Sequence, residues 1–127
     1  MDGYKPDGYT SAAPYLMVDD AQRTITFLLD VFDATKLRMI EGDDGRIRHG
    51  EVRIDDTVVM IADAPEGLPA IGSHIHVYVP DVDESYRRAL DAGAGSVQEP
   101  VQTGDEDKRG GVKDPGGNTW WIATRVG

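Results

Sequence analysis

Residues 14–34 read PYLMVDDAQRTITFLLDVFDA, and residues 75–95, sixty-one positions later, read IHVYVPDVDESYRRALDAGAG. These are the central parts of two diverged copies of one unit, spanning residues 10–34 and 71–95. At that offset Val18 falls on Val79, Asp20 on Asp81, Ile25 on Tyr86, Leu29 on Leu90 and Asp30 on Asp91. Each copy begins with a short apolar run, as a strand does. An aspartate then offers an N-cap, and apolar residues follow at helical spacing: Ala21, Ile25, Leu28, Leu29 and Phe32 in the first copy, Val82, Tyr86, Ala89 and Leu90 in the second. Gly93 ends the second helix near its C′ position. The same offset pairs Ala13 with His74.

Outward from these units, residues 1–9 are polar and read as an arm without structure of its own. Strands are predicted over 11–18, 35–41, 46–54 and 57–62, the last two flanking an Asp55-Asp56 turn. The stretch DAPEGLPAIG at 63–72, rich in proline and glycine, separates the halves. Strands follow over 74–79 and 95–100. Residues 102–111 read as a charged loop, and 111–114 with 118–124 as a hairpin around Pro115-Gly116-Gly117. The expected organisation is α+β: a single domain over 1–127, built of a βαβββ module at 10–64 and another at 71–126. Neither module could bury both faces of its sheet alone. They are therefore expected to pack as one curved mixed sheet with the helices outside.

Composition narrows the function. The chain of 127 residues has no cysteine, which excludes disulfides, thiolate metal sites and thiol catalysis. Its formal net charge of −10 opposes nucleic-acid and anionic-membrane partners, which need clustered positive charge, and mildly favours cationic ligands. No apolar run reaches membrane-spanning length, and MDGYKPDGYT lacks the regions of a signal peptide. A soluble cytoplasmic protein is expected.

The repeated βαβββ order, together with PYLMVDDAQRTITFLLDVFDA and GGVKDPGGNTWWIA, resembles the vicinal oxygen chelate superfamily of glyoxalases, bleomycin-resistance proteins and extradiol dioxygenases. GYTSAAPYLMV, HGEVRIDDTVVMIADA and DPGGNTWWIAT are most similar to its PhnB-like branch. The resemblance implies a cup formed by each pair of modules, often completed in a homodimer. It also implies metal-ligand positions on the inner faces of the first and last strands of each module, which here are Ala13, Met60, His74 and Trp121. Only His74 offers a suitable donor, so no metal and no cofactor are expected at these positions. A displaced divalent-metal site would need His74, His76, His49 and Glu51 together.

His74 and His76 share one strand face, as do His49 and Glu51. For the second pair the expectation is a solvated hairpin with Glu51 paired to Arg48 or Arg53. His74, His76, Tyr78 and Trp121 are expected to line a cavity, with Met60 and Ala13 as apolar floor, while Tyr15 is assigned elsewhere. Met17 and Met39 read as core filling. No Ser–His–Asp set is present, since Ser73 and His74 are adjacent and point opposite ways. These readings point to a protein binding a small aromatic or cationic molecule. The alternative is a metal-dependent lyase, isomerase or dioxygenase using His74.

Overall fold

The computed structural model describes residues 3–102, 104 and 106–127. Asp20 starts the first helix as its sequence demands: Oδ1 accepts from the amide of Arg23 at 3.2 Å, satisfying a donor that no helical carbonyl can reach. Asp81 does the same for the amide of Glu84, also at 3.2 Å. Helix α1 (Ala21–Phe32) buries Ile25, Leu28 and Phe32, and stops where Asp33 turns left-handed. Helix α2 (Val82–Asp91) buries Val82 and Ala89 and ends at Ala92, followed by Gly93 at a φ of 99°.

Around them run β1 (Tyr15–Val18), β2 (Thr35–Glu41), β3 (Ile47–Ile54), β4 (Thr57–Asp63), β5 (His74–Tyr78), β6 (Gly95–Gln102), β7 (Asp107–Lys113) and β8 (Thr119–Arg125). They form two four-stranded sheets, ordered β1-β4-β3-β2 and β5-β8-β7-β6. In each sheet the first strand runs parallel to the last and the other pairs are antiparallel. The α+β class and the doubled βαβββ order are therefore those expected.

Three details differ from the sequence-based reading. The strands make two sheets and not one curved sheet, and the helices touch each other: Arg88 Nη1 reaches Asp33 Oδ2 at 3.2 Å. Phe32 meets Trp120 with ring centroids 5.1 Å apart, which makes one continuous core of both halves. Strand β1 begins at Tyr15, so 11–14 stay outside the ladder. Pro14 has no N–H to give, although its carbonyl accepts from the Met60 amide at 2.9 Å. Of the charged stretch 102–111, residues 103 and 105 lie outside the described residues, and most of the others are strand, since Asp107–Lys113 pairs on both sides with β6 and β8. Charge and glycine suggested a loop, yet alternate charged side chains simply occupy one face of a paired strand.

The arm also has a place. The Thr10 hydroxyl accepts from the Val58 amide at 3.3 Å, the Gly8 carbonyl accepts from Arg53 Nη2 at 3.1 Å, and Tyr9 reaches Glu51. These contacts lay residues 8–10 against β3 and β4, which corrects the expectation of an unstructured arm at its end; residues 1 and 2 lie outside the described residues.

The repeat persists through the strands in two registers. Tyr15 pairs with Met60 as His76 pairs with Trp121, sixty-one residues on. Glu51 faces Met60, and the residue facing Trp121 is Gly111, sixty residues on. A residue is lost between helix and second strand and regained in the final turn. That turn is held by Asp114, whose Oδ1 accepts from the amides of Gly116 (2.8 Å) and Asn118 (3.0 Å) and whose Oδ2 accepts from Trp120 Nε1 (2.7 Å). Gly116 must be glycine, because a Cβ there would lie 2.6 Å from Thr24 Oγ1 and 2.7 Å from Val18 Cγ1.

Candidate functional site

Alternation along a strand divides each sheet into a face against the helices and an open face. On β1 and β4, Leu16, Val18, Val59 and Ile61 join the core, leaving Tyr15, Met17 and Met60 on the open face. On β5 and β8, Ile75, Val77, Trp120 and Ile122 pack inward, leaving His74, His76, Tyr78 and Trp121 open. The four predicted residues of the second half therefore share one face. Ala13 lies before β1, and Met60 lies on the first sheet, apart from them.

Trp121 lies flat over Gly111: a Cβ on that glycine would be 2.7 Å from Trp121 Cζ3 and 2.9 Å from Cε3. Its Nε1 donates to His74 Nδ1 at 3.1 Å, and the two ring planes are inclined by only 10°. Further along, Arg109 Nε donates to His76 Nε2 at 3.1 Å, while Arg109 Nη2 (2.9 Å) and the Tyr78 hydroxyl (2.8 Å) both donate to Asp107 Oδ2. His76 and Tyr78 meet edge to face at 4.8 Å. A cavity of about 610 Å³ opens beside Tyr78, Asp107 and Arg125. Asp107 and Arg109 were missed in the sequence because their strand was read as a loop; a period of two through 107, 109 and 111 was the available signal.

The first half holds a different network. Glu51 is 1 % exposed, yet it is bonded to neither Arg48 nor Arg53. Tyr9 donates to its Oε1 at 2.5 Å, His49 Nε2 lies 2.6 Å from its Oε2, and Arg38 approaches Oε2 at 3.6 Å. Burial raises the Glu51 pKa, but the bonds from Tyr9 and His49 and the charge of Arg38 outweigh it and hold the carboxyl below its ordinary 4.5. The same bond raises Tyr9 above 10.0. The solvated hairpin expected at His49 is thus a polar cluster around a buried carboxylate, because Tyr9, His49 and the partly exposed Arg38 cover Glu51.

Tyr15 also departs from expectation. It shares the open face with Met60, since residues 13 and 15 have the same parity along a strand, and its hydroxyl lies 3.2 Å from His49 Nδ1. The rings of Tyr15 and His49 stand edge to face at 5.5 Å. Tyr15 and Met17 line a cavity of about 740 Å³ with Arg46, Arg48, Ala62 and Asp63.

The family model described as Glyoxalase/Bleomycin resistance protein/Dioxygenase superfamily matches residues 9–122, and the chain belongs to this family. The uncharacterized protein Rv0887c of Mycobacterium tuberculosis (strain ATCC 25618 / H37Rv) is 36% identical over 125 residues, covering 90% of this chain and 74% of that one. Among solved structures, TioX from Micromonospora sp. ML1 superposes with a TM-score of 0.75 at 24% identity, covering 91% of this chain and 100% of TioX. TnmS3, an antibiotic binding protein from Streptomyces sp. CB03234, superposes with a TM-score of 0.71 at 20% identity, covering 92% of this chain and 98% of TnmS3. These likenesses establish the fold.

The residues present do not fit the metal site that the family often carries. The paired open-face positions hold Tyr15 with Met60 and His76 with Trp121. Thioether and indole are poor or null ligands for hard divalent ions. The lone pairs that neutral His74 and His76 would offer are engaged by N–H donors, from Trp121 and Arg109. His49 and Glu51 lie in the first sheet while His74 and His76 lie in the second, so the displaced set is not assembled in one chain. Among the described residues no group of three or more His, Asp or Glu could hold an ion. Among them, too, no helix is long and apolar enough to cross a membrane.

Proposed function

We propose that this chain is a cytoplasmic small-molecule-binding protein whose ligand is a planar aromatic or cationic organic compound. His74, His76, Tyr78 and Trp121 form the wall of its site. The observation that carries this reading is the indole of Trp121 spread over Gly111, with His74 nearly parallel to it, which gives a broad flat surface on an open face. Such surfaces suit flat and cationic ligands through stacking and cation–π attraction. The fold shared with an antibiotic binding protein supports a small organic molecule as the ligand.

Each cavity is lined from one half of the chain only. A homodimer that brings the first open face of one chain against the second open face of the other would close both, with Met60 and Ala13 as apolar floor. Titration with acridine orange, a planar aromatic cation, should quench tryptophan emission and show saturable binding that weakens at least tenfold in Trp121→Ala. An unchanged affinity in that variant, or no saturable binding by the wild type, would overturn the ligand reading. Sedimentation as a monomer at tens of micromolar would overturn the dimer.

A further inference from the structure

The open face of the first half carries chemistry that a stacking site does not use. We infer that it is a proton-transfer site, in which Tyr15 exchanges a proton with a bound carbon or oxygen acid through His49, positioned by Glu51. The geometry runs in one line from the buried carboxylate to the cavity. Glu51 Oε2 lies 2.6 Å from His49 Nε2, and His49 Nδ1 lies 3.2 Å from the Tyr15 hydroxyl. Tyr15 is 46 % exposed and lines the cavity of about 740 Å³, whereas Glu51 is sealed at 1 %.

The protonation pattern follows from donor and acceptor identity. An ionised carboxylate only accepts, so His49 must carry its proton on Nε2 to bond Glu51. Neutral His49 then has its lone pair on Nδ1, where the Tyr15 hydroxyl donates. A base whose tautomer is fixed by a buried carboxylate is the arrangement that activates hydroxyl groups in acyl-transfer enzymes. Here the activated hydroxyl is a phenol facing a cavity. A ligand with an acidic C–H beside a carbonyl would give its proton to Tyr15 Oη while the phenolic proton passes to His49 Nδ1. The resulting imidazolium faces Glu51, and the carbanion's electron pair delocalises into the carbonyl. Asp43, Asp44, Asp63 and Glu66 line the same cavity with Arg46 and Arg48, so these two guanidiniums are the cavity's donors of positive charge to that oxygen within a lining that is acidic on balance. In a ligand whose carbon–carbon double bond adjoins that C–H, the pair also reaches the far end of the double bond, and return of the proton there completes an isomerisation with no change of oxidation state.

Glu51 is held for this role from three sides, by Tyr9 of the arm, Arg38 of β2 and His49 of β3, and Tyr15 of β1 covers the other nitrogen of the ring. Among the described residues, these are the charged and titratable groups bonded to His49 or to the carboxylate beside it. Two of them, Tyr9 and Arg38, meet the carboxylate and leave the imidazole to relay protons.

A direct test uses 5-nitrobenzisoxazole, whose deprotonation at carbon is coupled to N–O cleavage. The C–H electron pair becomes part of a nitrile, the N–O pair leaves on oxygen, and a coloured cyanonitrophenolate forms without any oxidant. The wild-type protein should accelerate this reaction over free imidazole at equal concentration, by about a hundredfold for a positioned general base. Tyr15→Phe and His49→Gln should each return the rate to the imidazole level. Glu51→Gln should displace the midpoint of the pH–rate profile, which a merely structural role would leave in place. Tyr15 is half-exposed, so Tyr15→Phe should fold even if His49→Gln does not. Absence of acceleration by the wild type, or full activity in Tyr15→Phe, overturns the inference.

Discussion

Gly111 lies opposite Trp121 at the position that Glu51 holds opposite Met60 in the first half. The substitution of a carboxylate by nothing is what lets an indole lie flat on the second sheet. The two open faces therefore descend from one pattern and carry opposite contents, a buried acid in one and an aromatic plate in the other.

Restoring a side chain beneath the indole should disturb it. Gly111→Ala places a Cβ within 2.7 Å of Trp121 Cζ3, so the ring must lift or the strands must part. The expected cost is about 1–3 kcal/mol of stability, the usual range for overpacking. Denaturant unfolding measures it, and a shifted tryptophan emission maximum in the folded protein would report the moved ring.

The adjacent tryptophans should differ sharply in their worth to the fold. Trp120 is 1 % exposed, packs on Phe32 and donates to Asp114, so Trp120→Ala should cost about 3–5 kcal/mol, as buried aromatic truncations do. Trp121 is only partly buried on an open face, and its truncation should cost clearly less. Equal losses in thermal or denaturant unfolding would instead mark Trp121 as a core residue and the second face as filled.

Asp114 should behave as a latch for the last hairpin. Asp114→Ala strands the Trp120 indole N–H and two backbone amides, and should destabilise by about 2–4 kcal/mol given the cost of each unpaired buried donor. Burial lifts the Asp114 carboxyl above its ordinary 3.8 despite those bonds. Because its folded pKa is raised, the part of its contribution that depends on protonation is full below 3.8 and is lost as pH climbs through the raised value, while the bonds it accepts remain; a stability–pH curve compared with that of Asp114→Asn measures that part.

Glu51 carries the opposite sign. Its folded pKa lies below the ordinary 4.5, so its contribution is full above 4.5 and is lost as pH falls through the lowered value. Stability measured between neutrality and pH 3 should fall on the acid side of 4.5, and Glu51→Gln should flatten that part of the curve. A Glu51→Gln protein with an unaltered acid limb would show that the carboxylate is not ionised in its cluster.

The doubled unit was legible because it depends on local periodicity. Capping aspartates, the helical spacing of Ile25 and Leu28, and the alternation of His74, His76 and Tyr78 are properties of neighbours in the chain. They defined both helices and the order of strands, and they placed three of the second-half residues on one face before any contact was known. Where the local signal was ambiguous the reading failed. DKRGG looked like a loop although β6 and β8 claim it as strand, and Tyr15 was assigned away from a face that its own parity gives it.

By itself, then, the sequence determined the α+β repeat, its family and the shared face of His74, His76 and Tyr78, since alternation and capping act over a few residues. Only the tertiary structure decided which of them meet. It brought Tyr9 and Arg38, from the arm and from β2, onto Glu51, set His49 between that acid and Tyr15, and put Gly111 beneath Trp121. Those meetings depend on which residues face each other across neighbouring strands, and that register is fixed by pairing across space, which spacing along one strand does not record.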